Sequence, residues 1–439
     1  MTVTINLLAS KSIFHRVSIC TFLENLQGIA NTVVKGNFQD GDISTDMKAT
    51  KEALDRLHAM TISMKKAELK KQSVNDFVPI LPVADSGATL RFLLPVVGAL
   101  GIGARFVMAE SLYRRPIMML VNTLKKNGCS LALDDEKMTI NIRGKLVPGE
   151  YNIKGKESSQ FISGLLMALP LLEDESTLVV EKPVVSQSYI NMTIKVLEEF
   201  GITIAKKHES HEMIAYSIMG NQVYRGPGEY KIEGDWSSAS FWLVAEKLTG
   251  KPIFLKGINT NSIQGDSKVR DFIKEMDRDE DIAIDCSDVP DLVPNLTVLA
   301  LSRDNKTRFS GIDILAFKES DRIEGISEII SAVGGSFEYE DGDIIIEAGC
   351  GMEKDEASDE TSLGGEMSNA GDMGKTENSD GEFIYIMTQD HRMVMMAALA
   401  SLISKNPIII DGWKSVSKSY PRFFRDLKEA GLDGNVGLA

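Results

Sequence analysis

Short β-rich segments alternate with apolar helical segments along the chain, and this alternation constrains the fold more than any other feature. Residues 77–83 and 138–142 predict strands, and a turn containing Gly87 separates the first of these from an apolar helix. Because 439 residues exceed what a single hydrophobic core organises, two or three domains are expected. The pattern predicts an α/β or α+β protein with repeated units. The helices predicted from apolar periodicity span residues 116–126, 161–171, 190–200, 237–248, 268–276 and 324–333.

The composition argues against several function classes. The net charge of −15 is unsuited to general nucleic-acid binding, although a local group of Lys and Arg in a cleft can still bind a small anion. No apolar stretch approaches the roughly 20 residues that span a bilayer. The four cysteines form no C-x-x-C pair and the five histidines lack ligand spacing, so no metal site is expected. Residues 1–8 lack a secretory pattern, which predicts a cytoplasmic protein.

One segment, residues 351–382, departs from the alternation. It contains no Val, Ile, Phe, Tyr or Trp, and it carries ten acidic residues and two lysines. Such a segment buries too little apolar surface to offset the entropy lost on ordering. We therefore expect a disordered acidic insertion between a strand at residues 343–347 and a strand at 383–387.

Seven short polar clusters stand beside predicted turns or helix starts. Free backbone N–H groups at a helix start, with neighbouring Lys or Arg, can hold an anion, but each cluster alone is more typical of a solvated turn or a helix cap. Arg115 precedes Pro116 at a predicted first helical position, where a cation calls for an anionic partner. The clusters comprise residues 10–16, 85–91, 114–117, 157–160, 318–322, 390–393 and 417–421.

The order and spacing of these clusters resemble the 3-phosphoshikimate 1-carboxyvinyltransferase family, also called the EPSP synthase family. The similarity extends from Ser10 to beyond Pro421, which is nearly the whole chain. One motif alone is weak, whereas the ordered set is specific. The motifs are Ser-Lys-Ser-x-x-x-Arg at 10–16, Ser-Gly-x-Thr-x-Arg at 86–91, Arg-Pro-Ile at 115–117, Ser-Ser-Gln-Phe at 158–161, Glu-Gly-Asp-x-Ser-Ser-Ala-Ser at 233–240, Lys-Glu-Ser-Asp-Arg at 318–322 and Asp-His-Arg-Met at 390–393.

The resemblance implies a two-domain inside-out α/β barrel in which each domain contains three βαβαββ units. The first domain would span residues 10–232, and the second would combine residues 1–9 with 233–439. The crossings between domains are expected near Ser10 and residues 233–235. The substrates would bind in the cleft between the domains.

The resemblance also implies a function: transfer of the enolpyruvyl group of phosphoenolpyruvate to the 5-hydroxyl of shikimate 3-phosphate, in aromatic amino-acid biosynthesis. It implies no metal, no other cofactor, no nucleic-acid or membrane partner, a monomer and a target of glyphosate. The residues implied for phosphoenolpyruvate are Lys11, Gly87, Arg115, Gln160, Arg322, Arg392 and Lys418. Those implied for shikimate 3-phosphate are Lys11, Ser12, Arg16, Ser158, Ser159, Gln160, Ser186, Tyr189, Asp291 and Lys318. Those implied for catalysis are Lys11, Asp291, Glu319 and His391.

Two alternatives remain open at this stage. The sister enolpyruvyl transferase, which acts on UDP-N-acetylglucosamine, shares the architecture but has a Lys-Asn pattern near its N-terminus and a reactive loop Cys. Here Lys11 is followed by Ser12, and Cys129 is interpreted as structural. A non-catalytic anion-binding homologue would be favoured if Glu319, Asp291 or Arg392 were missing, and all three are present.

Overall fold

A computed structural model of the protein describes residues 2–29, 32–38, 42–69, 78–347 and 383–439. The predicted acidic insertion at 351–382 lies outside the described residues. The strands are β1 (Val3–Asn6), β2 (Val33–Lys35), β3 (Ile80–Ala84), β4 (Ala104–Met108), β5 (Cys129–Asp134), β6 (Thr139–Gly144), β7 (Glu150–Lys154), β8 (Ser176–Glu181), β9 (Ala205–Glu209), β10 (Met213–Ile218), β11 (Glu229–Lys231), β12 (Ile253–Lys256), β13 (Ile282–Asp285), β14 (Thr307–Ser310), β15 (Phe337–Glu340), β16 (Asp343–Ile346), β17 (Ile384–Met387), β18 (Ile408–Asp411) and β19 (Val436–Leu438). The helices are α1 (Lys11–Leu26), α2 (Thr45–Leu69), α3 (Gly87–Leu100), α4 (Glu110–Tyr113), α5 (Met118–Lys126), α6 (Ser159–Ala168), α7 (Gln187–Glu199), α8 (Trp236–Thr249), α9 (Val269–Met276), α10 (Val293–Ala300), α11 (Arg322–Ala332), α12 (His391–Ala400) and α13 (Phe423–Glu429).

Three four-stranded sheets share one topology, which confirms the predicted repeat. Their strand orders are β3-β4-β6-β5, β7-β8-β10-β9 and β13-β14-β16-β15. In each sheet the first two strands are parallel and the last two form an antiparallel hairpin. Since a helix connects the parallel strands, as parallel pairing requires, each sheet is the product of one βαβαββ unit. Strands β17, β18 and β19 form a parallel sheet, and β1 with β12 and β2 with β11 form parallel pairs.

Helices α3, α6, α10 and α12 are apolar on nearly every face, which places them inside the domains. Residues of α3 and α6 pack directly on one another, and a Cβ atom at Gly164 would overlap the backbone carbonyl of Arg91. In α12 every residue is buried. The sheets therefore lie outside and the helices inside, which is the predicted inside-out arrangement of the α/β fold.

Two separate hydrophobic cores divide the chain. One core draws on residues from Ala9 to Ile232, and the other combines Ile5, Leu7 and Leu8 with residues from Trp236 onward. We propose that the domain boundaries lie where the chain crosses between these cores, at residues 9–10 and 232–236.

The two crossings run side by side and are joined by hydrogen bonds. The Ser10 amide donates to the Glu233 carbonyl at 2.9 Å, and the Asp235 amide donates to the Leu8 carbonyl at 3.0 Å. The buried Gln264 carboxamide accepts from the Ser10 hydroxyl at 2.8 Å and from the Trp236 amide at 3.1 Å, and donates to the Gly234 carbonyl at 2.9 Å. One side chain thus holds both crossings in register.

One detail of the predicted helices is wrong. Helix α5 begins at Met118, so Pro116 is not at its first position. Ile117 has an extended φ of −143° and separates the proline from the helix. Arg115 is therefore not the residue before the first turn of α5, and its guanidinium lies beside Asp85 and Glu319.

Candidate active site

Seven helices begin at the cleft between the two cores, and five of the polar clusters stand at the starts of α1, α3, α6, α11 and α12. Helix N-termini present unpaired N–H groups and the positive end of the helix dipole, which favours anions. Side chains at the caps fix these turns: the Ser86 hydroxyl accepts from the Thr89 amide, and Asp390 accepts from the Arg392 amide at 2.8 Å. The helices are α1, α3, α6, α7, α8, α11 and α12.

The cleft encloses a cavity of about 840 Å³ lined by residues from both cores. Every predicted site residue except Lys418 lines it, and the Lys418 ammonium is 3.2 Å from the carboxylate of Glu319, which does. The predicted residues along the wall are Lys11, Ser12, Arg16, Gly87, Arg115, Ser158, Ser159, Gln160, Ser186, Tyr189, Asp291, Lys318, Glu319, Arg322, His391 and Arg392. The structure thus brings together residues that are far apart in sequence, while their individual roles stay predictions.

Asp291 lies among three cations of the second domain. Its carboxylate accepts from Arg322 at 2.9 Å and is 3.2 Å from the Lys318 ammonium and 3.3 Å from an Arg392 guanidinium nitrogen. Burial raises the pKa of Asp291, but the three positive charges outweigh burial and hold the pKa well below its usual range. Asp291 is therefore ionised at neutral pH.

Glu319 is also surrounded by cations, and these come from both domains. Its carboxylate is 2.8 Å from Arg322, 3.2 Å from Lys418 and 3.5 Å from Arg115. Burial raises the pKa of Glu319, and the charges of Arg322, Lys418 and Arg115 more than reverse this shift, so the pKa lies well below its ordinary value. Any anion that binds the same three cations would weaken their hold on this carboxylate.

The buried Asp390 orients Arg322, and sequence reasoning gave this residue no role. The Nε atom of Arg322 donates to the Asp390 carboxylate at 2.8 Å, and both side chains are almost completely buried. A bidentate guanidinium–carboxylate pair fixes the plane of the arginine. The available signal was a carboxylate directly before an apolar helix, which a helix cap already explains.

The wall formed by the first domain holds its cations by neutral partners and by carboxylates. Arg16 donates to the Thr193 hydroxyl at 2.7 Å and to the Tyr189 carbonyl at 2.9 Å. Gln160 accepts from Arg91 at 2.8 Å, and Lys11 pairs with Asp46 at 2.8 Å. Asp46 and Arg91 line the cavity although neither was predicted as a site residue.

Two buried histidines, His15 and His391, stand beside these cations. Burial, together with the charges of Lys11 and Arg16, holds the pKa of His15 well below its usual value. Burial also lowers the pKa of His391, and the nearby Lys11 adds to the shift while Glu319 opposes it. Both rings are therefore neutral at pH 7. In the described part of the chain, no cluster of three or more His, Cys, Asp or Glu side chains has the arrangement of a metal site.

The neutral His15 predicts a dependence of stability on pH. The unfolded chain takes up a proton at His15 below about pH 6.5, whereas the folded chain does not, so the free energy of unfolding falls as the pH is lowered. Replacing His15→Asn should reduce the slope of unfolding free energy against pH by about 1.4 kcal/mol per pH unit below pH 6. Urea denaturation between pH 5 and 7.5, at roughly half-unit steps, measures this slope.

Comparing the pH slopes of the two proteins separates the contribution of His15 from that of Asp266, which changes the unfolding free energy in the opposite direction. Burial raises the pKa of Asp266 to about 6, so its protonation favours the folded state as the pH falls from 6. This contribution is the same in the wild-type protein and in the His15→Asn variant. Identical slopes in the two proteins would show that His15 takes up its proton in the folded state.

Two α/β domains that enclose a cationic cavity define a protein that binds small, multiply charged anions between its domains. Residues 1–427 match the sequence profile of the family described as EPSP synthase (3-phosphoshikimate 1-carboxyvinyltransferase). The chain belongs to this family. In the described part of the chain, no helix is both long and apolar enough to cross a bilayer.

Individual relatives agree over nearly the full length. A Clostridium acetobutylicum protein named 3-phosphoshikimate 1-carboxyvinyltransferase is 33% identical over 444 residues, covering 97% of this chain and 94% of the relative. A Brachyspira hyodysenteriae protein of the same name is 31% identical, and the match covers 96% of this chain and 94% of the relative. The structure of the EPSP synthase from Acinetobacter baumannii superposes with a TM-score of 0.67 at 21% identity, covering 98% of this chain and 96% of the other. This last similarity supports the fold.

Proposed function

We propose that this protein transfers the enolpyruvyl group of phosphoenolpyruvate to the 5-hydroxyl of shikimate 3-phosphate, giving 5-enolpyruvylshikimate 3-phosphate and phosphate. The observation that carries the proposal is the convergence of cations from both domains on one cavity: Arg115 from the first and Arg322 and Lys418 from the second contact the same carboxylate. Both substrates are multiply anionic, and fixed cations offset the repulsion between them. The proposal includes action as a cytoplasmic monomer in aromatic amino-acid biosynthesis.

The two substrates divide the cavity between them. Lys11, Arg115 and Lys418 bind the phosphate of phosphoenolpyruvate, and Arg322 and Arg392 bind its carboxylate, with Gly87 and Gln160 alongside. Gly87 opens helix α3, and a Cβ there would lie 3.5 Å from the side chains of Arg115 and Gln160, so a glycine keeps this contact surface open. The residues proposed for shikimate 3-phosphate are Lys11, Ser12, Arg16, Ser158, Ser159, Gln160, Ser186, Tyr189, Asp291 and Lys318.

The reaction proceeds by addition and then elimination. In the addition, the 5-hydroxyl oxygen bonds to C2 of phosphoenolpyruvate, Asp291 accepts the hydroxyl proton, and Glu319 delivers a proton to C3. In the elimination, Glu319 takes a proton back from C3, the C2=C3 double bond forms again, the C2–O bond to phosphate breaks, and the departing phosphate takes up the proton that Asp291 accepted. This scheme needs one acid–base pair and no net oxidation.

The charges around Glu319 support its dual role. Arg115, Lys418 and Arg322 hold the Glu319 pKa well below its ordinary value. The phosphate and carboxylate of phosphoenolpyruvate draw on these same cations, so substrate binding raises the pKa of Glu319 towards the range where it can donate a proton. The carboxylate then returns to its ionised state as the proton moves to C3. His391, neutral and buried beside it, is placed to orient Glu319 or the phosphate.

The sister enolpyruvyl transferase acting on UDP-N-acetylglucosamine is less well supported. Among the described residues, Cys20, Cys129 and Cys286 are buried, and none lines the cavity. Burial raises the pKa of the Cys129 thiol to about 11, which leaves it un-ionised and unreactive. The cavity also contains Glu319 and Asp291, which a non-catalytic binding protein would not need.

A phosphate-release assay tests the proposed function. The protein is incubated with phosphoenolpyruvate and either shikimate 3-phosphate or UDP-N-acetylglucosamine, and inorganic phosphate is measured over time. We expect release with the shikimate acceptor only, and detection of 5-enolpyruvylshikimate 3-phosphate by mass spectrometry. Phosphate release with the UDP-sugar only, or no release with either acceptor, would overturn the proposal.

A further inference from the structure

The carboxylate of Asp85 lies inside the cation cluster of the cleft, although a turn residue was all that the sequence indicated there. Asp85 lies between strand β3 and helix α3. An Arg115 guanidinium nitrogen donates to its carboxylate at 2.9 Å. The Lys418 ammonium bonds both to the same carboxylate and, at 3.0 Å, to the backbone carbonyl of Asp85. Two cations proposed to bind the substrate phosphate are therefore paired with this one aspartate.

Four charged side chains alternate in sign around a closed ring. Asp85 contacts Arg115 and Lys418, and Glu319 lies 3.5 Å from Arg115 and 3.2 Å from Lys418. Asp85 and Arg115 lie in the part of the chain that forms the first core, and Glu319 and Lys418 lie in the part that forms the second. The ring therefore joins the two domains across the cleft. A phosphate group that binds both cations must compete with one of the two carboxylates.

The two carboxylates differ in how easily they can leave the ring. Glu319 is 16% exposed and is held by a third cation, Arg322, at 2.8 Å. The Asp85 side chain is 32% exposed and has a partner outside the ring, because the Ser111 hydroxyl donates to it at 2.6 Å. An Asp85 carboxylate that leaves the ring can thus be solvated by water more easily than Glu319, and it keeps its hydrogen bond from Ser111.

We propose that Asp85 is an internal counter-ion that the phosphate group of the ligand displaces from Arg115 and Lys418. Asp85 lowers the affinity of the site for phosphate groups and favours release of the phosphate product by taking its place on the two cations. The proposal rests on the proposed function, since it assumes that these cations bind the phosphate of the substrate. It makes Asp85 a determinant of affinity rather than a proton carrier.

The test compares phosphate binding by Asp85→Asn with that of the wild-type protein. Asparagine keeps the shape of the side chain and can still accept from Arg115 and Ser111, but it removes the negative charge. Isothermal titration with inorganic phosphate at fixed ionic strength should give a Kd lower by roughly fivefold to tenfold, the size expected for losing two partly exposed ion pairs. Inorganic phosphate should likewise become a stronger product inhibitor of turnover.

Two control variants separate local charge from other effects. Asp55→Asn removes the same charge from an exposed pair with Lys51 on helix α2, away from the cleft, and should leave the phosphate Kd unchanged. Asp85→Glu retains the charge and should remain close to the wild-type Kd. An unchanged or higher Kd for Asp85→Asn would overturn the proposal, because it would mean that Asp85 positions the two cations instead of competing for them.

The failure of this inference can be distinguished from failure of the proposed function. If the wild-type protein releases no phosphate from phosphoenolpyruvate with shikimate 3-phosphate, the proposed function fails. If the wild-type protein turns over and Asp85→Asn does not bind inorganic phosphate more tightly, only the role of Asp85 fails. Thermal unfolding of each variant confirms that the compared proteins are folded.

Discussion

Replacing Glu319→Gln should lower kcat by roughly 10²- to 10⁴-fold while leaving the KM for phosphoenolpyruvate unchanged or reduced. Glutamine has nearly the same shape and can still accept hydrogen bonds from Arg322, but it cannot carry a proton to and from C3. The substitution also removes the negative charge that lies between Arg115, Lys418 and Arg322. Those cations then attract the anionic substrate at least as strongly as before.

The separation of the two constants identifies the role of Glu319. Steady-state kinetics give kcat and KM, and titration with shikimate 3-phosphate gives a Kd that should remain within a few-fold of wild type. The matched control is Glu324→Gln, which removes an exposed carboxylate from helix α11, just after Glu319 in the chain, and should retain wild-type turnover. A parallel loss of kcat and of substrate affinity would show that Glu319 holds the site together rather than moving a proton.

Replacing Asp291→Asn should lower kcat by roughly 10²-fold or more, because the amide cannot accept the proton of the 5-hydroxyl. Affinity for shikimate 3-phosphate should not fall to the same extent. Asp291 is close to Lys318, Arg322 and Arg392, and losing its charge leaves these cations more strongly attractive to an anion. Single-turnover measurements, with the Kd obtained separately by titration, distinguish the chemical step from binding.

The control for Asp291 is a carboxylate of the same domain outside the cavity. Asp271 is 78% exposed on helix α9, 3.9 Å from Lys274, and Asp271→Asn should have wild-type kcat. If Asp291→Asn weakens shikimate 3-phosphate binding as much as it lowers kcat, Asp291 serves as a binding group and another residue accepts the hydroxyl proton.

The sequence allowed the buried helices to be predicted because their apolar residues end abruptly at polar caps. The helix predicted at 237–248 is found at Trp236–Thr249, with Asp235 as its N-cap. The exposed edge strands could not be predicted in the same way. Strand β9 reads Ala-Lys-Lys-His-Glu and is exposed throughout, so no apolar alternation marks it, and only its pairing with β10 makes it a strand.

The ordered motifs predicted most residues of the site, but they did not predict the carboxylates that pair with its cations. Asp46 is an acidic residue in the first turn of α2, where the helix dipole alone explains it. Asp85 belongs to a turn, a position that aspartate commonly occupies. Their functional neighbours, Lys11 and Lys418, are separated from them by 35 and 333 positions in sequence. The first pairing depends on how helices α1 and α2 pack within one domain and the second on how the two domains meet, and no local pattern encodes either.

The parallel pairing of β1 with β12 has a consequence for how the protein is made on the ribosome. Val3–Asn6 is translated before the first core, but its partner Ile253–Lys256 is translated only after every residue of that core. The first core can fold while most of the second domain is still untranslated. Until β12 is made, strand β1 has no strand to pair with and its backbone groups stay unpaired. An unpaired strand can associate with other nascent chains, and the polar Thr4 and Asn6 in this four-residue strand limit that risk. Newly made protein should therefore be most vulnerable to aggregation between completion of the first domain and synthesis of β12.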